Sequence, residues 1–228
     1  SAVIGPITAA NCGIKVDLKG NIYLGLWVWP RDASLPGAFE KDEAYRNSTG
    51  SVVRFTPKGG FMAVKGGWLG ADPIEVVPKP ADASGLDAFN PVFKDFFIQG
   101  ATAIYMGLAP FSHSPYAGNT CCVCRGPRFD LDPFGRLVVP NAMSNSVQVL
   151  DNSGNVVVEF GKYGNFDSQY APPDRKDGKP LVAIPDIPLT WPTGAGVSEK
   201  AVYVLDTYSR RIVRAGLTWR AEETSEIR

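Results

Sequence analysis

Two segments, Val16-Asp17-Leu18-Lys19-Gly20-Asn21-Ile22-Tyr23-Leu24 and Leu131-Asp132-Pro133-Phe134-Gly135-Arg136-Leu137-Val138-Val139, share one pattern. An apolar residue precedes an aspartate; two variable residues, a glycine and one further residue follow, and an apolar strand comes next. Glycine reaches positive φ without steric cost, and an aspartate carboxylate accepts hydrogen bonds from backbone two residues on, so the pattern encodes a tight turn feeding a strand. A unit that recurs in this way is the signature of a repeat architecture, in which each copy buries its apolar faces on its neighbours. Residues 102–108 and 200–206 fit the strand portion without the turn, which gives three or four copies.

Apolar runs at 13–29, 51–55, 101–108, 137–139, 146–150, 155–160, 201–205 and 211–215 are bounded by Gly, Asn, Asp and Pro, and they read as strands. The 24 Gly and 19 Pro recur at short intervals and oppose long helices. The expected class is all-β, with helix below about 10%. Asp17, Asp132, Asp151 and Asp206 stand at equivalent places in the units, so they read as turn-fixing residues ahead of acid–base pairs or calcium ligands.

In the fullest copy the strand leads through Asn141 to Ser146-Val147-Gln148-Val149-Leu150-Asp151. A turn at residues 152–154 follows, then Val156-Val157-Val158-Glu159-Phe160-Gly161-Lys162-Tyr163-Gly164. Residues 129–164 resemble an NHL repeat, the unit of a β-propeller family, whose pattern runs from an Asp-x-x-Gly turn to a closing Phe-Gly-x-x-Gly. Residues 197–217 resemble the same family through Val202-Tyr203-Val204-Leu205-Asp206 and Arg210-Arg211-Ile212-Val213-Arg214, with Ser209 where the family usually carries Asn. The first unit matches at Asp17 to Leu24 and loosely at Val52-Val53-Arg54-Phe55.

The resemblance implies a propeller or partial propeller of about three to four NHL-like blades, as one domain over residues 1–228. Long loop insertions at about 30–49 and 68–91 would decorate it. Propellers close with four to eight blades, so hidden blades, a missing segment or a second chain are expected to complete the ring.

Lys plus Arg equals Asp plus Glu at 23 each, which provides no long-range field for nucleic acid or an anionic bilayer. No apolar run reaches the roughly 18 to 20 residues of a membrane span, and the first residues lack the basic and apolar regions of a signal peptide. The start at Ser1 fits a processed secreted protein or a segment of a longer chain; a periplasmic or secreted location is the expectation.

Cys121, Cys122 and Cys124 place three thiols within four residues, a set able to hold a soft cation, with His113 as a possible fourth ligand. The spacing is neither that of a zinc finger nor that of a haem attachment site. Structural thiols or disulfides, one of them to Cys12, a thiolate-bound metal ion and a catalytic thiol all stay open. In extended backbone Cys122 and Cys124 share a face, which favours them as the chelating pair and Cys121 as the disulfide donor.

Other candidates have ordinary alternatives. Arg210 and Arg214 would share one strand face with Arg211 on the other, as a solvated or salt-bridged edge ahead of a phosphate site. Trp27, Trp29, Trp68, Trp191 and Trp219 fit the wedge between blades ahead of a sugar surface. Asn47-Ser48-Thr49 fits a glycosylation acceptor.

Among propellers that the resemblance brings in, amidating lyases use several histidines on zinc, whereas this chain has one. Propeller lactonases hold calcium, for which Asn11, Asn141, Asp206 and Glu199 are the candidates. No nucleophile, base and orienter arrangement is visible, so the leading expectation is a non-catalytic binding or scaffold module with a protein partner. A metal-binding or redox module and a calcium-dependent hydrolase or lyase are the alternatives.

Overall fold

A computed structural model describes residues 3–5, 11–64, 67–69, 72–74, 84–91, 94–111, 126–165, 176–178 and 184–218. The fold is all-β. Helix among these residues is confined to one α-helix of six residues, Glu43–Ser48, and one 3-10 turn, Gly37–Phe39.

Four main sheets carry the fold. Sheet I orders its strands as Val3–Gly5, Gly59–Val64, Lys94–Gln99, Leu86–Asn90 and Trp29–Pro30, with only the first pairing parallel. Sheet II is antiparallel, in the order Ala101–Leu108, Gly50–Phe55, Ile22–Leu26, Asn11–Val16. Sheet III is an antiparallel meander of Asp130–Leu131, Leu137–Asn141, Ser146–Leu150 and Val156–Phe160. Sheet IV is a three-stranded meander of Pro192–Val197, Ala201–Asp206 and Arg211–Gly216.

The period-2 side-chain alternation of strands decides how these sheets stack. Leu24, Leu26, Val53 and Phe55 leave one face of sheet II and pack with Met62, Ala88, Phe96 and Ile98 of sheet I. Tyr23, Val52, Tyr105 and Leu108 leave its other face and meet Leu137, Val139 and Leu150 of sheet III. Val138, Val147 and Val149 point the opposite way, onto Val202 and Val204 of sheet IV. The order of the stack is therefore I, II, III, IV. The inner strands Ile22–Leu26 and Gly50–Phe55 of sheet II and Leu137–Asn141 of sheet III are buried on both faces, whereas the edge strand Val156–Phe160 is exposed.

The aspartate turns repeat in atomic detail. Asp17 Oδ1 accepts from the N–H of Lys19 and Asn21, Asp132 Oδ1 from Phe134 and Arg136, and Asp151 Oδ1 from Ser153 and Asn155. Each turn holds its glycine (Gly20, Gly135, Gly154) at φ between 79° and 90°. Burial works against the Asp17 carboxylate, but hydrogen bonds from Asn21, Lys19 and Tyr23 outweigh it and hold its pKa below the ordinary aspartate value. Asp151 is lowered chiefly by its hydrogen bonds from Asn155.

A carboxyl whose pKa is lower in the folded than in the unfolded chain stabilises the fold above the unfolded value, about 3.9, and that contribution disappears as pH falls through the folded value. Carboxyl NMR titration is expected to place the midpoints of Asp17 and Asp151 below about 3.9. Midpoints at or above it would remove the turn-fixing role.

Two expectations need correction. Residues 68–91 are not one decorating loop: Leu86–Asn90 is an interior strand of sheet I, paired on both edges, and Gly67–Leu69 pairs with Asp72–Ile74. The sheet I strands Val3–Gly5, Gly59–Val64 and Lys94–Gln99 also fall outside the expected strand runs. Residues 30–49 do form an insertion, but it is docked: Tyr45 is buried, Phe39 stacks on it at 4.2 Å, and the Trp27 and Trp29 indole N–H groups donate to the carbonyls of Asn47 and Thr49.

Candidate functional site

The loop between the second and third strands of sheet III is pinned from both ends. Asn141, buried, accepts from the N–H of Met143 and Ser144 through Oδ1 and donates through Nδ2 to the Tyr45 hydroxyl at 3.0 Å. Asn145, at φ 55°, donates to the Thr190 carbonyl at 2.7 Å and ties the loop to the segment that precedes sheet IV. Ser144 and Ser146 are thereby held in place. Ser146 Oγ donates to Glu159 Oε1 at 2.6 Å, the length of a charge-assisted hydrogen bond, and Gln148 Nε2 donates to Oε2 at 3.3 Å. The one Ser146 proton is committed to the carboxylate, so in its 2.7 Å contact with Ser144 the donor is Ser144.

Glu159 faces an open cleft of about 980 Å³. Gly161, at φ 92°, turns the chain out of sheet III so that Lys162–Tyr163 pairs in parallel with Pro188–Leu189. Phe160 and Tyr163 line the cleft on one side and Ile184, Pro185, Asp186 and Ile187 on the other. The Tyr45 hydroxyl, joined to this network through Asn141, has its pKa raised first by burial, against the Asn141 hydrogen bond and with the help of the Glu159 charge. It stays a protonated phenol at neutral pH.

A second exposed feature lies on the far side of sheet IV. Tyr203, Leu205 and Ile212 are 42%, 46% and 70% exposed, while Val202 and Val204 between them are fully buried against sheet III. Leu205 sits opposite Ile212 across the strands, and Tyr203 opposite Arg214. On the first strand, Pro192–Val197, Gly194 and Gly196 occupy the matching positions. The result is an apolar surface with a shallow glycine-floored strip beside it.

Cys121, Cys122, Cys124 and His113 lie outside the described residues, as do Trp219 and the loop before the cysteines. Among the described residues no three His, Cys, Asp or Glu side chains converge as metal ligands. Of the calcium candidates, the Asn11 side chain lies outside the described residues, and Asn141, Asp206 and Glu199 are not assembled either. Asn141 is committed to its loop; Asp206 is fully buried and accepts from Thr190 N, Trp191 N and Arg211 Nε. Glu199 is exposed in the hairpin between the first two strands of sheet IV, at the end of the sheet remote from Asp206.

The remaining candidates resolve into structure. Arg211 pairs with Asp206 at 3.1 Å, and Arg210 and Arg214 are exposed. Trp27 and Trp29 are core residues, and Trp191 stacks on Tyr208 at 5.1 Å. The Thr49 of the glycosylation pattern is buried, with its hydroxyl donating to the Tyr45 carbonyl. Cys12 corrects the disulfide expectation: it is a free, fully buried thiol.

Burial pushes the Cys12 pKa up to about 11, partly offset by the charge of Arg128 and a hydrogen bond from it. An un-ionised, inaccessible thiol does not react. Cys12 is therefore expected to escape iodoacetamide in the native protein and to be alkylated once the protein is unfolded, as read by peptide mass mapping. Native alkylation at Cys12 would contradict its place in the core between sheets II and III.

No family model matches the chain, and no curated protein matches it.

Proposed function

We propose that this chain is a non-catalytic binding or scaffold module of NHL-like propeller type. In this reading sheets I to IV are its blades, and the open face of sheet IV receives a further blade-like sheet from another chain. The observation that carries the reading is the exposure of Tyr203, Leu205 and Ile212 on the last sheet of a stack whose other sheet-to-sheet boundaries are packed apolar cores. Fully burying a large apolar side chain is worth about 1.5–3 kcal/mol, so three half-exposed ones make a strong site for association. What fits a flat, twisted strand surface is another sheet, as at each boundary inside the stack.

The repeat of the Asp17, Asp132 and Asp151 turns supports the NHL-like reading, because each stands where that family's units turn from one strand to the next. A partner outside the cytoplasm belongs to the same reading.

The test is a pull-down with the purified chain as bait, comparing wild type with Leu205→Glu and Ile212→Glu. Both changes add charge on the open face, and each is expected to leave the unfolding free energy in urea within about 0.5 kcal/mol of wild type. Partners recovered by wild type and lost by both variants support the reading. Partners retained by both variants would sink it.

A further inference from the structure

We propose that the cleft beside Glu159 binds a guanidinium group, the side chain of an arginine presented by a peptide segment. The proposal stands on its own observations, separate from the open face of sheet IV.

Glu159 is exposed, yet its carboxylate is oriented. Ser146 holds one oxygen and Gln148 the other, and Ser146 is buried and itself fixed by the chain of contacts through Ser144 and Asn141. A carboxylate offers about four acceptor positions, and these two donors use one on each oxygen, which leaves one on each for a ligand. Two acceptors on one planar group are the complement of a guanidinium, which donates two parallel N–H bonds where an ammonium donates from a point.

The rest of the cleft suits the same group. Tyr163, 46% exposed, offers an aromatic face of the kind on which guanidinium stacks, and Ile184, Pro185 and Ile187 give the apolar wall that an arginine stem requires. Among the described residues the lining carries two carboxylates, Glu159 and Asp186, against one ammonium, Lys162, a balance that favours a cation over an anion. Because Asn141 and Asn145 have already fixed the loop that carries the serines, little order is lost on binding.

The probe is acetyl-Gly-Arg-Gly-amide, titrated into the whole chain and followed by amide NMR shifts. Controls are the same peptide with citrulline, which keeps the shape and removes the charge, and with lysine. Wild type is expected to show saturable shifts at Glu159, Tyr163 and Ile184 with the arginine peptide, and binding at least about tenfold weaker with either control. Glu159→Gln should weaken arginine binding at least about tenfold at an unchanged urea midpoint, and Tyr163→Ala several-fold. Equal binding of the citrulline peptide, equal binding of the lysine peptide, insensitivity to Glu159→Gln, or no saturable shift up to roughly 10 mM peptide would each overturn the assignment.

Discussion

Asp206→Ala is expected to cost the fold about 3 kcal/mol in urea unfolding at neutral pH. Asp206 has no solvent exposure, and its two oxygens take up the N–H groups of Thr190 and Trp191 and the guanidinium of Arg211. Removing it leaves two backbone donors and a cation without their acceptor, at a point where the segment entering sheet IV is tied to the sheet's second strand. Breaking a buried pair from one side costs about 3–5 kcal/mol; Arg211 is 28% exposed and recovers some hydration, which sets the lower end. Asp206→Asn keeps one acceptor and should lose less. A loss below about 1 kcal/mol for Asp206→Ala would contradict a structural role for this carboxylate.

Phe55→Ala is expected to cost about 3–5 kcal/mol, against less than about 0.5 kcal/mol for Ile212→Ala. Phe55 is fully buried between sheets I and II, and a Cβ on Gly60 would lie 2.7 Å from its ring, so the strand of sheet I leaves space for it at that point. Truncating it opens a cavity walled by both sheets. Ile212, on the open face, leaves none. Equal effects from the two changes in chemical denaturation would mean that the stack of sheets is not packed as described.

How much of this was legible depends on which residues carry each element. The Asp17 and Asp132 turns and the strands that follow them were readable because aspartate and glycine are obligatory at fixed offsets, and the structure places them as the pattern requires. Sheet I was not. Its strand Gly59–Val64 begins with Gly59 and Gly60, just after Pro57, residues that locally signal a turn; Gly60 is there because a Cβ would lie 2.6 Å from the Gln99 carbonyl oxygen. Pro192–Val197 carries Pro192, Gly194 and Gly196 and has little strand propensity of its own, so it exists through pairing with Ala201–Asp206.

The Glu159 site had weaker signals still. Its acceptor geometry depends on which residue of the third strand faces which of the fourth, and a bulge between Val149 and Leu150 shifts that register. Local sequence does not announce such a shift. The open face of sheet IV was partly visible, since Val202, Val204 and Tyr203, Leu205 alternate as one strand's two faces. Only the three-dimensional stack shows that the second face meets no further sheet among the described residues.

The most direct test of that uncovered face is sedimentation velocity of the purified 24.6 kDa chain, over about 1–100 μM, beside a Tyr203→Glu, Leu205→Glu, Ile212→Glu variant. An open apolar sheet face brings copies of the chain together, so wild type should gain weight-average mass with concentration while the variant sediments as a monomer throughout. Wild type that stays monomeric across the whole range, or a variant that associates equally well, would contradict the claim that this face is built to be covered.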